Sequence, residues 1–160
     1  MHFSGYGRKE RSHMKNRLLE VARTLEALAE EYRPPLEVLG EGRNRIQLTE
    51  NFGLWEFECK HCQAVKIHPE LVRRLQIARD RIGRPIVITS GYRCPEHNRA
   101  VGGASNSQHL YGTAADVKCP GLTVQELYNV LEPLFPDGGV GRYSGHVHVD
   151  VRGTKARWTG

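Results

Sequence analysis

The segment from His146 to Val151 alternates strictly between polar and apolar side chains. Because successive side chains on a β-strand point to opposite faces, and because valine favours strands, this pattern predicts a strand that buries its three valines. The other face then carries His146, His148 and Asp150. The two imidazoles would lie about 6.6 Å apart along the strand. Such a pair binds a metal ion only when further ligands come from elsewhere in the chain.

A second polar segment supplies candidates for those ligands. His109 lies in a polar, glycine-flanked loop, and residues 113–118 are typical of a short strand that carries Asp116 among small and apolar neighbours. An unpaired carboxylate in apolar surroundings is costly, which favours a cation beside Asp116. Two imidazole nitrogens and one carboxylate oxygen are a usual protein share of a catalytic zinc site. Each residue alone is compatible with a structural role, but their combination in one short chain indicates a metal site.

Helical and strand patterns are mixed through the rest of the chain. Pro69 suits the first turn of a helix that Gly83 ends, a short helix is predicted over residues 95–100, and Thr123 and Glu126 form the capping box of another helix. Residues 85–90 are predicted to form a buried strand, and residues 140–143 and 146–152 the closing strands. The fold class expected is α+β, a small, mostly antiparallel sheet with flanking helices.

The N-terminal part of the chain reads as an extension of this domain. Apolar residues recur at helical spacing between residues 12 and 32, and Arg33-Pro34-Pro35 ends the pattern. We expect an N-terminal amphipathic helical extension over residues 1–46 and the main domain over residues 47–160. Docking, assembly and targeting are open roles for this helix, and packing on the main domain is slightly favoured.

Net charge and hydropathy limit the classes of binding partner that the chain is expected to have. The net charge of +5 favours polyanionic partners, but the basic residues are scattered and no nucleic-acid-binding motif is present. Nucleic acid is therefore not expected, whereas an anionic bacterial cell wall fits the charge. No apolar run is long enough to span a membrane, and the first residues lack the apolar core of a secretory signal. We expect a monomer that is made in the cytoplasm.

Four cysteines leave three interpretations open. Cys59 and Cys62 form a C-x-x-C motif, and Cys94 and Cys119 are each followed by proline. Two disulfides, a four-cysteine zinc knuckle and free thiols are all compatible with this pattern. A structural role is favoured, with a second, structural zinc among the options and His61 able to join the cluster. A thioredoxin-like redox role is least expected, because the motif does not lie in a βαβ pattern.

The chain resembles the zinc D-alanyl-D-alanine carboxypeptidase family, which is part of a group that includes lysostaphin-type endopeptidases and the hedgehog domain. The resemblance covers roughly residues 48–158. It rests on these motifs in this order: Ser90-Gly91-Tyr92-Arg93, His97-Asn98, Gly102-Gly103, Ser107-x-His109-x-x-Gly112-x-Ala114-x-Asp116, Gly139-x-Gly141-x-Tyr143 and His146-x-His148-x-Asp150. It implies a hedgehog/DD-peptidase-like fold for the catalytic domain.

The resemblance assigns metal and catalytic roles. It implies that His109, Asp116 and His148 bind zinc. Many carboxypeptidases of the family carry an acidic general base three residues before the last zinc histidine, where this chain has Gly145. His146 is the best substitute, as in the lysostaphin-like relatives, since a neutral imidazole suits proton transfer near neutral pH.

Three further residues are expected to contact the substrate or to orient the metal ligands. Arg93 resembles the family arginine that meets a substrate carbonyl or carboxylate. Ser107 is expected to fix the His109 loop or to contact the peptide. Asp150 is expected either to orient an imidazole or to form an ion pair with Arg152.

The function implied is hydrolysis of peptide bonds in peptidoglycan stem peptides or cross-links, by a carboxypeptidase or an endopeptidase. A phage lytic enzyme that reaches the wall through a holin or within a virion is also implied. The alternative is a non-catalytic, zinc-stabilised module for cell-wall binding or assembly, because hedgehog domains show that the scaffold can lose hydrolysis.

Overall fold

The computed structural model describes residues 36–38 and 44–160 of the chain. The helix predicted over residues 12–32 lies outside the described residues, and the domain boundary after residue 46 stays a prediction. Strand β1 (Leu36–Val38) pairs antiparallel with β2 (Val65–Ile67) in a small two-stranded sheet.

Five strands form the main sheet, which carries the polar segments singled out above. They are β3 (Val87–Ser90), β4 (Ala114–Lys118), β5 (Gly139–Arg142), β6 (Val147–Asp150) and β7 (Ala156–Thr159). Their order across the sheet is β3-β4-β6-β5-β7. Neighbouring strands are antiparallel except β5 and β7, which are parallel. The predicted α+β class is confirmed, and the sheet is mixed because β7 returns alongside β5.

Within the described residues, three α-helices accompany the sheet and begin and end at the signals that the sequence carries. They are α1 (Pro69–Ile82), α2 (Pro95–Ala100) and α3 (Val124–Leu131). Gly83 ends α1 in the left-handed conformation, with φ +67°, and Thr123 and Glu126 form the predicted capping box of α3. Among the residues that the structure describes, no helix is both long and apolar enough to cross a membrane.

The valine face of β6 lies in the main hydrophobic core. Val147 and Val149 are fully buried there, together with leucines of α1 and α3 and three phenylalanines. Burial of one such side chain stabilises the fold by roughly 1.5–3 kcal/mol. Because this face is anchored in the core, the alternation fixes which side chains β6 presents on its other face.

The strand predicted over residues 85–90 is shorter and more exposed than expected. Strand β3 begins at Val87 and lies at the edge of the sheet, where β4 is its one neighbour among the described strands. The side chain of Val87 is 45% exposed. An apolar run resembles a buried strand whether it lies at the centre or at the edge of a sheet, because periodicity does not report the strand's neighbours.

Candidate metal centre

The three predicted metal ligands meet at the centre of the sheet. In the pairing of β4 with β6, Asp116 lies directly opposite His148. The 3-10 helix Gln108–Tyr111, which immediately precedes β4, carries His109. All three side chains are buried, and their ligand atoms lie within 4.8 Å of one another. Two adjacent strands and the turn that enters one of them therefore build the cluster.

The spacing of these atoms suits a small divalent cation. Asp116 Oδ1 lies 3.2 Å from His109 Nε2 and 2.9 Å from His148 Nδ1, and the two nitrogens are 3.2 Å apart. Ligand atoms of a tetrahedral zinc site with bonds of about 2.0–2.1 Å lie about 3.3 Å from one another. The donor set and its spacing therefore fit zinc, with a fourth position on the open side.

Each imidazole is oriented by a hydrogen bond from its other nitrogen. His109 Nδ1 lies 2.6 Å from the carbonyl oxygen of Gly91, and His148 Nε2 lies 3.1 Å from Asp150 Oδ2. When these nitrogens donate their protons, Nε2 of His109 and Nδ1 of His148 present lone pairs to the centre. The geometry thus selects one tautomer for each ring.

Asp150 makes both of the contacts that the sequence left as alternatives. It is fully buried, accepts from the ring of His148, and accepts from the guanidinium of Arg152 at 2.8 and 2.5 Å. The backbone N–H of Gly139 also donates to Asp150 Oδ1 at 2.9 Å. The imidazole that it orients is that of His148, so the carboxylate lies directly behind a predicted ligand.

The electrostatics of the cluster favour two ionised carboxylates. Burial by itself raises the pKa of Asp116, but hydrogen bonds from His109 and His148 outweigh it and hold that pKa well below its usual range. Burial likewise opposes ionisation of Asp150, and its contacts with His148 and Arg152 lower its pKa overall. Burial lowers the pKa of His109. This environment of ionised carboxylates and a neutral imidazole suits a cation.

His146 lies at the rim rather than among the three buried residues. Its side chain is 30% exposed, and Nε2 lies 3.7 Å from Asp116 Oδ1. Its ring stacks on Tyr143 with 4.6 Å between centroids and 8° between planes. Burial lowers the pKa of His146 more than the nearby Asp116 carboxylate raises it. The ring is therefore held beside the cluster in a form that can accept a proton.

Arg93 and Ser107 line the same cavity, which has a volume of about 570 Å³. Arg93 Nη2 lies 2.5 Å from Asp116 Oδ2, and its Nε donates to Ser90 Oγ at 2.8 Å. The guanidinium thus contacts the carboxylate oxygen that faces away from the two imidazoles. Ser107 lies at the N-terminal end of the 3-10 helix that carries His109.

Two aromatic residues at the site were given no role by the sequence analysis. Trp158 of β7 lies with its ring centroid 5.2 Å from that of His148, and its Nε1 donates to Tyr143 Oη at 2.9 Å. The guanidinium of Arg152 lies 5.2 Å from the Trp158 ring centroid. The side chains of Trp158, Tyr143 and Arg152 thus form the wall of the cavity beside His146 and His148.

Two glycines of β5 could have revealed this crowding. Gly139 and Gly141 pair with Asp150 and His148 in the sheet. A Cβ atom at Gly139 would lie 2.2 Å from Asp150 Oδ2, and one at Gly141 would lie 2.3 Å from the Trp158 indole. Glycine in a strand interior often marks such a close approach. The G-x-G spacing is therefore the sequence signal of the buried carboxylate and the indole.

The structure separates the four cysteines. Cys59, Cys62 and Cys94 lie together, whereas Cys119 belongs to the main hydrophobic core. The four-cysteine knuckle considered above does not form from this arrangement, because Cys119 is packed among the apolar side chains of another cluster.

Comparison with known proteins agrees with this geometry. The model of a family described as Peptidase M15 matches residues 46–150, which include all three predicted ligands. A zinc D-Ala-D-Ala carboxypeptidase of Streptomyces albus G is 49% identical to the chain over 45 residues. That match covers 28% of this chain and 18% of the relative, so it spans less than a fifth of the relative's length.

Proposed function

The chain belongs to the peptidase M15 family, and from that premise we propose that it is a zinc-dependent peptidase acting on peptidoglycan peptides. The observation that carries the proposal is the convergence of His109, Asp116 and His148 in a buried cluster with both imidazoles oriented. A structural ion pair needs neither two imidazoles nor an open cavity beside them. The donor set also matches the metal in the name of the Streptomyces albus G relative.

His109 would hold the zinc through Nε2, Asp116 through Oδ1 and His148 through Nδ1, since these are the atoms that face one another. A bound zinc supplies Lewis-acid polarisation of the scissile carbonyl. Gly91 and Asp150 keep the two rings in place, so that the site does not have to reorganise when it is loaded.

His146 is proposed as the general base. It is the imidazole at the rim, beside the cluster, and its stacking on Tyr143 fixes the plane of the ring. A neutral imidazole in this position can take a proton from the attacking water and deliver it to the leaving amine. His146, which follows Gly145, would thus take the part of the acidic general base that the resemblance leads one to expect at position 145.

Arg93 and Ser107 are proposed to contact the substrate. The guanidinium of Arg93 has a planar fork of donors that suits a substrate carboxylate or the developing oxyanion. Its contact with Asp116 holds it at the cavity beside the metal ligands. Ser107, two residues before His109, also lines the cavity and would offer its hydroxyl to the peptide backbone of the substrate.

The substrate proposed is a peptidoglycan stem peptide or cross-link, cleaved at a bond to a D-amino acid. The name of the relative points to such a bond, and a cavity of about 570 Å³ accommodates a short peptide segment. The net charge of +5 favours association with an anionic cell wall. The proposed place of action is therefore the bacterial wall.

Incubation with defined muropeptides tests this function. We expect mass spectrometry to show either free D-alanine, which identifies a carboxypeptidase, or a shortened or separated stem peptide, which identifies an endopeptidase. A zinc chelator should abolish both products, and added zinc should restore them. Intact muropeptides in the presence of protein with stoichiometric zinc would instead support the non-catalytic binding module.

Asp150→Asn tests the orientation of His148. The amide keeps the size of the side chain but loses the negative charge that strengthens the hydrogen bond from His148 Nε2. Because this bond orients the ring and makes Nδ1 a better ligand, we expect the affinity for zinc to fall roughly 10–100-fold. Competition with a chromogenic chelator measures the affinity, and circular dichroism confirms the fold. Asp137→Asn is the control, because that carboxylate is 58% exposed and pairs with Arg74 of α1. If the two variants bind zinc equally well, Asp150 does not orient His148 for metal binding.

A further inference from the structure

A second cluster of metal-binding side chains lies apart from the one described above. The sulfur atoms of Cys59, Cys62 and Cys94 lie within 4.8 Å of one another. Cys59 is 1% exposed and Cys94 is 7% exposed, whereas Cys62 lies at the surface. The first two cysteines of the chain precede β2, and Cys94 is the residue immediately before α2. Three thiols from two separate segments therefore meet in one place.

A histidine with the right spacing completes the cluster. His97 Nδ1 lies 3.4 Å from the sulfur of Cys59. Cys59-x-x-Cys62 and Cys94-x-x-His97 are thus two pairs of donors with two residues between the members of each pair, the spacing typical of structural zinc sites. His61 Nδ1 also lies 3.4 Å from a sulfur, that of Cys94, but its side chain is exposed and it lies between two ligands in the chain.

We propose that Cys59, Cys62, Cys94 and His97 bind a structural zinc ion. Sulfur atoms of a tetrahedral zinc site with Zn–S bonds of about 2.3 Å lie about 3.8 Å apart, which three thiols gathered within 4.8 Å reach by side-chain rotation. His97 would supply the fourth ligand through Nδ1, the atom that faces the sulfur of Cys59. Each thiol releases its proton when the metal binds, so the site is a metal-stabilised thiolate cluster.

The backbone around the cluster already provides donors to the sulfurs. The N–H of Cys94 donates to the sulfur of Cys59 at 3.3 Å, and the N–H of His97 donates to the sulfur of Cys94 at 3.4 Å. Such hydrogen bonds orient and stabilise ligating thiolates. A disulfide would join only two of the three sulfurs and leave the third thiol beside it, whereas one zinc ion uses all three.

The position of this cluster gives the ion a structural purpose. The segment that ends at Cys94 contains Arg93 and the Gly91 carbonyl that accepts from His109. The N–H of Tyr92, in the same segment, donates to the carbonyl of Phe57 at 2.8 Å. An ion that joins Cys59 and Cys62 to Cys94 therefore fastens the segment that positions Arg93 and orients His109.

Metal content per chain tests the proposal. Mass spectrometry of the purified full chain should find two zinc ions, and one in Cys62→Ser. Because Cys62 is exposed, its replacement removes a ligand with little loss of core packing. Substitution with Co²⁺ should give a thiolate-to-cobalt charge-transfer band, which Cys62→Ser and His97→Ala weaken. This band comes from sulfur ligands alone, so it is independent of peptidase activity and of the cluster at His109.

Two matched variants serve as controls. Cys119→Ser should keep both zinc ions and the band, because Cys119 lies in the main core, and His61→Ala should keep them as well. A single zinc in the wild-type chain that His148→Ala removes, a cobalt complex without the thiolate band, or fewer than four titratable thiols in the denatured, unreduced chain would each overturn the proposal. None of these results depends on whether muropeptides are cleaved.

Discussion

Replacing His148 with alanine is expected to abolish zinc binding at the proposed active site and to lower kcat/KM on a muropeptide by about a thousandfold or more. His148 offers the Nδ1 atom that lies 2.9 Å from Asp116 and 3.2 Å from His109, so its loss leaves two of the three ligands. It also removes one of the partners of each buried carboxylate, Asp116 and Asp150. Lewis-acid polarisation of the scissile bond is lost with the metal.

Zinc content and muropeptide kinetics measure this effect on the same preparation. If the structural zinc is present, His148→Ala should retain that one ion, and the thiolate-to-cobalt band should remain. His61→Ala is the matched control, since it removes an exposed imidazole outside the proposed active site. Turnover at the wild-type rate by a folded His148→Ala protein would exclude His148 as a zinc ligand.

The alternation at His146–Val151 predicted the face of the sheet because a strand anchored by buried valines has no freedom to turn. Val147 and Val149 lie in the core, and this places His148 and Asp150 opposite them in the site. The convergence of His109 with His148, 39 residues later, does not follow from this alternation. It depends on the register of β4 against β6, which the sequence predicts only through the resemblance to a family.

Some features of the site do not follow from local pattern. Strand β7 is only four residues long and none of its residues is buried, and its place in the sheet comes from parallel pairing with β5. Trp158 therefore enters the cavity from a strand whose neighbour the local pattern does not predict. The nitrogen that each histidine presents depends on the Gly91 carbonyl and on Asp150, and these are tertiary contacts. The two glycines of β5 were the local signal for part of this crowding.

The second large effect is expected from His146, because it is proposed as the general base whereas His148 is proposed as a zinc ligand. We expect His146→Ala to keep the zinc of the active site but to lower kcat roughly 10²–10⁴-fold, the usual contribution of a general base. His146 lies at the rim, with Nε2 3.7 Å from Asp116, whereas the three buried residues approach one another more closely. Its removal should therefore leave the metal ligands in place, with KM changed far less than kcat.

Two further measurements distinguish a base from a residue that only supports the fold. His146→Gln keeps a polar side chain of similar size that cannot accept a proton, so it should be as slow as the alanine variant. Added imidazole should partly restore turnover in His146→Ala, because the small molecule can occupy the vacated space beside Tyr143 and accept the proton. If His146→Ala and His148→Ala lose zinc equally, His146 is a ligand rather than the base. If His146→Gln retains wild-type kcat, proton transfer must be assigned to another group.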